Sequence, residues 1–84
     1  MIHKLKTWPE YYNAILTGEK NFEVRQYDRD YNIGDVLHLI EYDPQSEKET
    51  GQEMKVEVTY IMTDDNPFIM IDGFVIMSIS TYPF

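Results

Sequence analysis

The 84-residue sequence has no cysteine, only two histidines and no long apolar run. The absence of cysteine excludes a disulfide framework, a zinc site with thiolate ligands and a cysteine nucleophile. Because His3 and His38 are the only imidazoles, we expect no multi-histidine metal site and no cofactor. The longest apolar runs, residues 68–71 and 74–77, are four residues each. We therefore expect no membrane span and no signal peptide, and predict a soluble, cytoplasmic protein.

Basic residues are also scarce. Seven of them stand against 15 acidic residues, which gives a net charge of −8. Such a chain is a poor non-specific binder of nucleic acid, because phosphate repels its overall field. Five of the seven cations nevertheless lie in the first 29 residues, namely Lys4, Lys6, Lys20, Arg25 and Arg29. They either form one electropositive face or are ordinary solvated charges.

The length fits a single domain covering residues 1–84. A helix is predicted near the N-terminus, with Thr7 as its cap, Pro9 in the first turn and Glu10 completing a capping box. Gly18 ends it after about three turns, since glycine tolerates the left-handed conformation found at helix ends.

The rest of the chain is typical of β-structure. Alternation in the fourth predicted strand places Met54, Val56, Val58 and Tyr60 inward. The predicted fold class is α+β, mainly β: a small barrel of about five strands with the helix packed against it or plugging it, or alternatively two adjacent sheets. We expect the strands at residues 2–6, 21–27, 36–42, 53–62 and 74–80, and the longer loops at 28–35, 43–52 and 63–73.

The most informative segment runs from Gly18 to Arg25. Glu23 and Arg25 are two apart on a predicted strand and share a face, and Lys20 lies in the turn beside it. Two cations and a carboxylate can then bind a phosphate or a polar base edge, with Glu23 holding the cations. They can also perform acid–base chemistry if Lys20 is partly buried. The alternative is a surface ion pair worth under about 1 kcal/mol.

The pattern Gly18-x-Lys20-x-x-Glu23-x-Arg25 resembles the G-x-K-x-x-E-x-R signature of ASCH domains, which are relatives of the PUA domains. The likeness extends over nearly the whole chain, to one bacterial and phage branch described as a domain of unknown function with an ASCH-like, RNA-binding fold. It is carried by residues 5–12, 22–25, 28–31, 34–39 and 41–43.

This resemblance implies a PUA-like β-barrel and a cleft beside the signature for RNA or a nucleotide-like ligand. The candidate binding residues are Lys6, Trp8, Lys20, Glu23, Arg25 and Arg29. Trp8 either stacks on a base or anchors the helix by packing. Arg29 either contacts phosphate or stabilises its own loop between two aspartates.

An enzymatic function is the alternative. Some ASCH proteins hydrolyse acylated cytidines with a lysine and a threonine three residues later, and others are ribonucleases. Lys20 and Glu23 are the catalytic candidates, although Glu23 occupies the position of that threonine. A third hypothesis is a protein-interaction domain that uses its acidic C-terminal half. The net charge of −8 favours a compact pocket for one nucleotide over a long duplex.

Overall fold

The computed structural model describes residues 1–68 and 72–81. One short helix and five strands form in this part of the chain. In order they are β1 (Ile2–Thr7), α1 (Pro9–Leu16), β2 (Phe22–Gln26), β3 (Val36–Asp43), β4 (Lys48–Met62) and β5 (Phe74–Thr81).

The strands form one sheet in the order β1-β3-β4-β5-β2. β1 pairs with β3 in parallel, and the other three pairs are antiparallel. The sheet curls into a half-barrel, with β1 and β2 as its edges, so the predicted mainly β fold of five strands and one helix is confirmed. The alternative of two sheets is wrong for the described residues, because all five strands belong to a single hydrogen-bonded ladder.

The hydrophobic core is formed by one face of this sheet together with α1. Tyr12 and Ile15 of α1 pack into it, so the helix covers the sheet as predicted. Six side chains are fully buried in it, namely Leu37, Leu39, Val56, Val58, Val75 and Met77. Among the described residues, α1 is too short to cross a membrane.

The start of α1 differs from the predicted capping box. Thr7 is the last residue of β1, and Trp8 occupies the N-cap position without a side-chain hydrogen bond. Pro9 does occupy the first turn, where its missing N–H costs nothing. The helix has eight residues, about two turns rather than three.

The predicted helix end at Gly18 is confirmed. Gly18 has a φ of +83° and its N–H donates to the Ile15 carbonyl at 3.1 Å. The N–H of Lys20 then donates to the Ala14 carbonyl at 2.9 Å. These bonds fold the chain back over the helix end and fix the start of the segment that carries Lys20.

The predicted loop 43–52 is wrong over its second half. β4 already begins at Lys48, opposite Asp43, which leaves a tight turn of residues 44–47. The Thr50 hydroxyl donates to the buried carboxylate of Glu41 at 2.5 Å. Pairing with β3 therefore makes a strand of a polar segment whose composition favours a loop. Residues 69–71 of the predicted loop 63–73 lie outside the described residues.

The inward position predicted for Tyr60 is also wrong. The pairing of β4 with β5 shifts between Val58 and Tyr60, as in a β-bulge. An extra residue in one strand reverses the alternation beyond it. Tyr60 is consequently exposed, and Ile61 packs against the core instead.

Candidate functional site

A cavity of about 810 Å³ opens where the ends of β1, α1 and β2 meet. We call it the first cavity. It collects cations, one carboxylate and several aromatic side chains. Its lining is Lys6, Thr7, Trp8, Tyr11, Lys20, Phe22, Glu23, Val24, Arg25, Gln26 and Phe74.

The alternation of β2 turns charged side chains inward and apolar ones outward. Glu23 is only 3% exposed, whereas Phe22 and Val24 are each 47% exposed. This is the reverse of the usual arrangement, in which the apolar face is buried and a carboxylate is buried only when paired. The buried carboxylate of Glu23 therefore needs a cation beside it.

Glu23 has two such partners. Its Oε1 accepts a hydrogen bond from Lys20 Nζ at 2.6 Å, and its Oε2 accepts one from Arg25 Nε at 2.8 Å. Lys20 Nζ also donates to the Phe22 carbonyl at 2.8 Å. The structure thus brings Lys20, Glu23 and Arg25 together in the first cavity, and the burial of Glu23 distinguishes this cluster from an ordinary surface ion pair.

Arg25 also connects the two edge strands. Its Nη2 donates to the Lys6 carbonyl at 3.0 Å and to the Thr7 hydroxyl at 3.2 Å, both on β1. β1 and β2 are at opposite edges of the half-barrel and are not neighbours in the ladder. The Arg25 guanidinium therefore ties the seam between them, as its forked donors allow.

One side of the first cavity is aromatic. The rings of Trp8 and Tyr11 stack with centroids 6.1 Å apart and planes inclined by 22°. Both side chains are about half exposed, at 49% and 45%. Lys20 Nζ lies 4.9 Å from the Phe22 ring centre and 5.6 Å from that of Tyr11. The cation is thus held against aromatic faces, a favourable electrostatic arrangement.

Two other predicted binding residues lie at the border of the site. Lys6 lines the first cavity, with its Nζ 4.6 Å above the Tyr42 ring. Arg29 does not line it. It lies in a neighbouring cavity of about 420 Å³, the second cavity, whose lining is Lys4, Leu5, Lys6, Arg25, Gln26, Asp28, Arg29 and Tyr31.

Six lining residues of the first cavity are not among the candidates predicted from the sequence, namely Thr7, Tyr11, Phe22, Val24, Gln26 and Phe74. Thr7 was assigned to helix capping, although its hydroxyl accepts from Arg25. The rings of Tyr11 and Phe22 also line the cavity, where both lie close to Lys20 Nζ. The alternation of Phe22 with Glu23 was a usable signal, but alternation does not tell which face of a strand is buried.

A second buried polar cluster lies on the other side of the β1 start. The Asp35 carboxylate contacts His3 Nε2 at 2.7 Å and accepts from the Asn32 N–H at 3.0 Å. Burial alone raises the pKa of Asp35, but hydrogen bonds from His3, Asn32 and the amine of Met1 outweigh it and hold this pKa below its ordinary value. The cluster fixes the turn before β3.

Metal ligands are not grouped in the described part of the chain. Within residues 1–68 and 72–81, no three histidine, aspartate or glutamate side chains are arranged to hold an ion. Asp64 instead accepts a hydrogen bond from the Gly73 N–H at 2.8 Å, which closes the loop before β5.

Comparisons with known proteins place the chain in a family. A family model described as a domain of unknown function, DUF3850, matches residues 2–79, and the chain belongs to this family. It is 42% identical over 41 residues to an uncharacterized 12.9 kDa protein in the GpA 3′ region of Escherichia phage P2. That match covers 49% of this chain and 38% of the phage protein, well under half of the relative's length.

A solved structure shows the same fold. The crystal structure of hypothetical protein PH0355 superposes with a TM-score of 0.69 at 19% identity, covering 98% of this chain and 100% of that one. At this identity the likeness concerns the fold alone. Neither relative's name states a ligand or an activity.

Proposed function

We propose that this domain is an ASCH-type module that binds RNA or a nucleotide-like ligand in the first cavity. The observation that carries the proposal is the buried Glu23 carboxylate, which holds Lys20 and Arg25 beside a wall of half-exposed aromatic rings. The ASCH type rests on the resemblance of the Gly18–Arg25 segment, because the matching family and the similar structure name neither a ligand nor an activity.

The aromatic wall suits a base. Trp8 and Tyr11 present stacked, half-exposed faces, and stacking on such faces is worth about 1–3 kcal/mol per base. About half of Trp8 remains in contact with solvent, so packing against the protein leaves much of its ring free for a ligand. A flat heteroaromatic ring is the ligand group that matches this surface.

The cations suit a phosphate or a polar base edge. Glu23 neutralises one of the two charges of Lys20 and Arg25, and Lys6 adds a third cation at the rim. The cluster therefore keeps a net positive charge inside a chain of −8. Such a local field attracts one or a few phosphates while the rest of the surface repels a long duplex.

A small hydrolase acting on acylated cytidines or on RNA is the second candidate. It is favoured by the 2.6 Å contact of Lys20 Nζ with Glu23 Oε1 in the first cavity, since an acid–base pair that acts on one substrate must lie within hydrogen-bond reach. Binding remains the first choice, because both carboxylate oxygens of Glu23 already accept hydrogen bonds from cations. Glu23 therefore serves to position the cations of Lys20 and Arg25 by hydrogen bonds.

Fluorescence of the single tryptophan tests the binding function. Trp8 lies in the first cavity, so a stacked base is expected to quench its emission as a short single-stranded RNA or a mononucleotide is added. Lys20→Ala is expected to weaken binding by roughly tenfold to a hundredfold, since a charge-assisted contact is worth about 1.5–3 kcal/mol and each 1.4 kcal/mol is about tenfold. Lys55→Ala, an exposed lysine of β4 outside both cavities, is the matched control.

Product analysis separates the two candidates. A binding module leaves RNA and N4-acetylcytidine intact during these titrations. An enzyme releases cytidine or shorter RNA and loses that activity in both Lys20→Ala and Glu23→Gln. Absence of both quenching and product with folded protein would refute the binding and the hydrolase proposals together.

A further inference from the structure

We propose that the second cavity is a phosphate-binding subsite, so that the ligand is a single-stranded nucleic acid of at least two nucleotides. This inference rests on the proposed function. It concerns Lys4 and Arg29, which take no part in the Lys20–Glu23–Arg25 cluster.

The second cavity is the most basic part of the described surface. Lys4, Lys6, Arg25 and Arg29 line it, which is four of the seven cations of the chain. Asp28 is its single carboxylate. In a protein with a net charge of −8, this concentration of positive charge is a local exception. Cation clusters of this kind supply most of the affinity of proteins for phosphate backbones.

The topology explains why these cations meet. Lys4 and Lys6 are two apart on β1 and both point outward, because the alternate residues His3, Leu5 and Thr7 are buried. β1 is an edge strand, so its outer flank faces the seam toward β2 and the turn that follows it. No further strand of the described residues lies between the two edges, and mainly polar side chains line the second cavity there.

Arg29 is only weakly held by the protein. Its Nε lies 3.5 Å from Asp28 Oδ1, at the limit of a hydrogen bond, and the Arg29 and Asp28 side chains are 40% and 57% exposed. Its guanidinium carbon lies 5.9 Å from the centre of the Tyr31 ring. The aromatic face orients the side chain over the cavity without consuming its N–H donors, which can then contact a phosphate.

The two cavities are adjacent and share a wall. Lys6, Arg25 and Gln26 line both of them. When a base stacks against Trp8 in the first cavity, the sugar–phosphate backbone of its nucleotide lies near the shared wall. The next phosphate of the nucleic acid then contacts Lys4 and Arg29 in the second cavity. An acidic peptide would use the second cavity only and leave the aromatic wall empty, so the joint arrangement favours nucleic acid.

A doubly substituted protein, Lys4→Ala with Arg29→Ala, tests the inference. Binding of a fluorescein-labelled single-stranded RNA tetranucleotide is measured by anisotropy at several salt concentrations. With two phosphate contacts removed, the affinity is expected to fall roughly tenfold to thirtyfold and the salt slope to shrink by about 1.4. The quenching of Trp8 at saturation is expected to stay unchanged, because the base still enters the first cavity.

The matched control is Lys48→Ala with Lys55→Ala. It removes the same charge from exposed positions of β4 outside both cavities, so a general field effect weakens both proteins equally. Circular dichroism and thermal melting establish that both variants fold.

The outcomes distinguish this inference from the proposed function. If the test variant and the control bind RNA alike while RNA still quenches Trp8, the subsite is refuted and the proposed function stands. If RNA neither binds nor quenches the parent protein, both fall. Equal affinity of the parent for an octaglutamate peptide would also overturn the inference, since the second cavity would then be a general anion site.

Discussion

Arg25→Ala is expected to lower the free energy of unfolding by about 2–4 kcal/mol. Arg25 is the side chain that links buried Glu23 on β2 to the backbone and hydroxyl of β1. Its removal breaks three hydrogen bonds and leaves the carboxylate with Lys20 as its remaining cation. The side-chain contacts of Arg25 between β2 and β1 are then lost.

The magnitude follows from burial. Glu23 has 4% of its side chain exposed and Arg25 has 23%. Breaking a buried ion pair costs about 3–5 kcal/mol, whereas an exposed pair is worth about 0–1 kcal/mol. The pair lies nearer the buried limit, and Lys20 still neutralises part of the charge. A domain of this size has roughly 4–13 kcal/mol of stability, so the expected loss is a large share of it.

Urea denaturation followed by circular dichroism measures the loss, and the melting temperature is expected to fall by at least about 10 °C. Arg25→Lys is the informative companion variant. It keeps the charge but lacks the fork that reaches Glu23 and β1 together, so we expect roughly half of the loss. Arg29→Ala, with its single 3.5 Å contact, is the control and is expected to change stability by less than about 0.5 kcal/mol.

A loss below about 0.5 kcal/mol for Arg25→Ala would refute this reasoning, because the cluster would then behave as a solvated surface pair. Full stability of Arg25→Lys would refute the role of the fork, because the positive charge alone would then account for the stabilisation.

Two further predictions concern the backbone and pH. Gly18→Ala is expected to lower the free energy of unfolding by about 1–2 kcal/mol in urea denaturation, because alanine is strained at a φ of +83°. No atom lies within 4 Å of the added Cβ, so this cost comes from the backbone alone. Gly18→Asn is expected to cost less, and an equal cost would point away from backbone strain. The folded state holds the pKa of Asp35 below its unfolded value of 3.8, so it binds fewer protons than the unfolded state and stability falls as pH falls from about 3.8. The stability difference between the parent and Asp35→Asn should therefore shrink in melts below that pH, and a constant difference would contradict the assignment.

The elements that the sequence predicted well are those with a local cause. Gly18 ends the helix because its conformation is left-handed, and Val56 and Val58 point inward because their strand alternates. Tyr60 and Thr50 were misassigned for a non-local reason. A bulge against β5 exposes the first, and pairing with β3 draws the second into a strand. Neither partner strand can be identified from the residues of β4 alone.

The candidate site shows the same division. The spacing of Glu23 and Arg25 was enough to place them on one face of a strand, since alternation is local. It was not enough to show that this face is buried, or that the β1 backbone lies within reach of Arg25. That contact depends on the curl of the whole sheet, which brings two edges together that are separated in the ladder by three other strands.

The double position of Arg25 decides which variants can report on function. It lines both cavities and also ties β1 to β2, so a loss of binding in Arg25→Ala mixes a missing contact with a loosened fold. Lys20 contacts only Glu23 and a neighbouring carbonyl through hydrogen bonds among the described residues, and Lys4 and Arg29 hold no part of the seam. Substitutions at Lys4, Lys20 and Arg29 remove positive charge, while the hydrogen bonds of Arg25 to β1 remain. If they weaken RNA binding at unchanged stability, the cations act on the ligand and not through the fold.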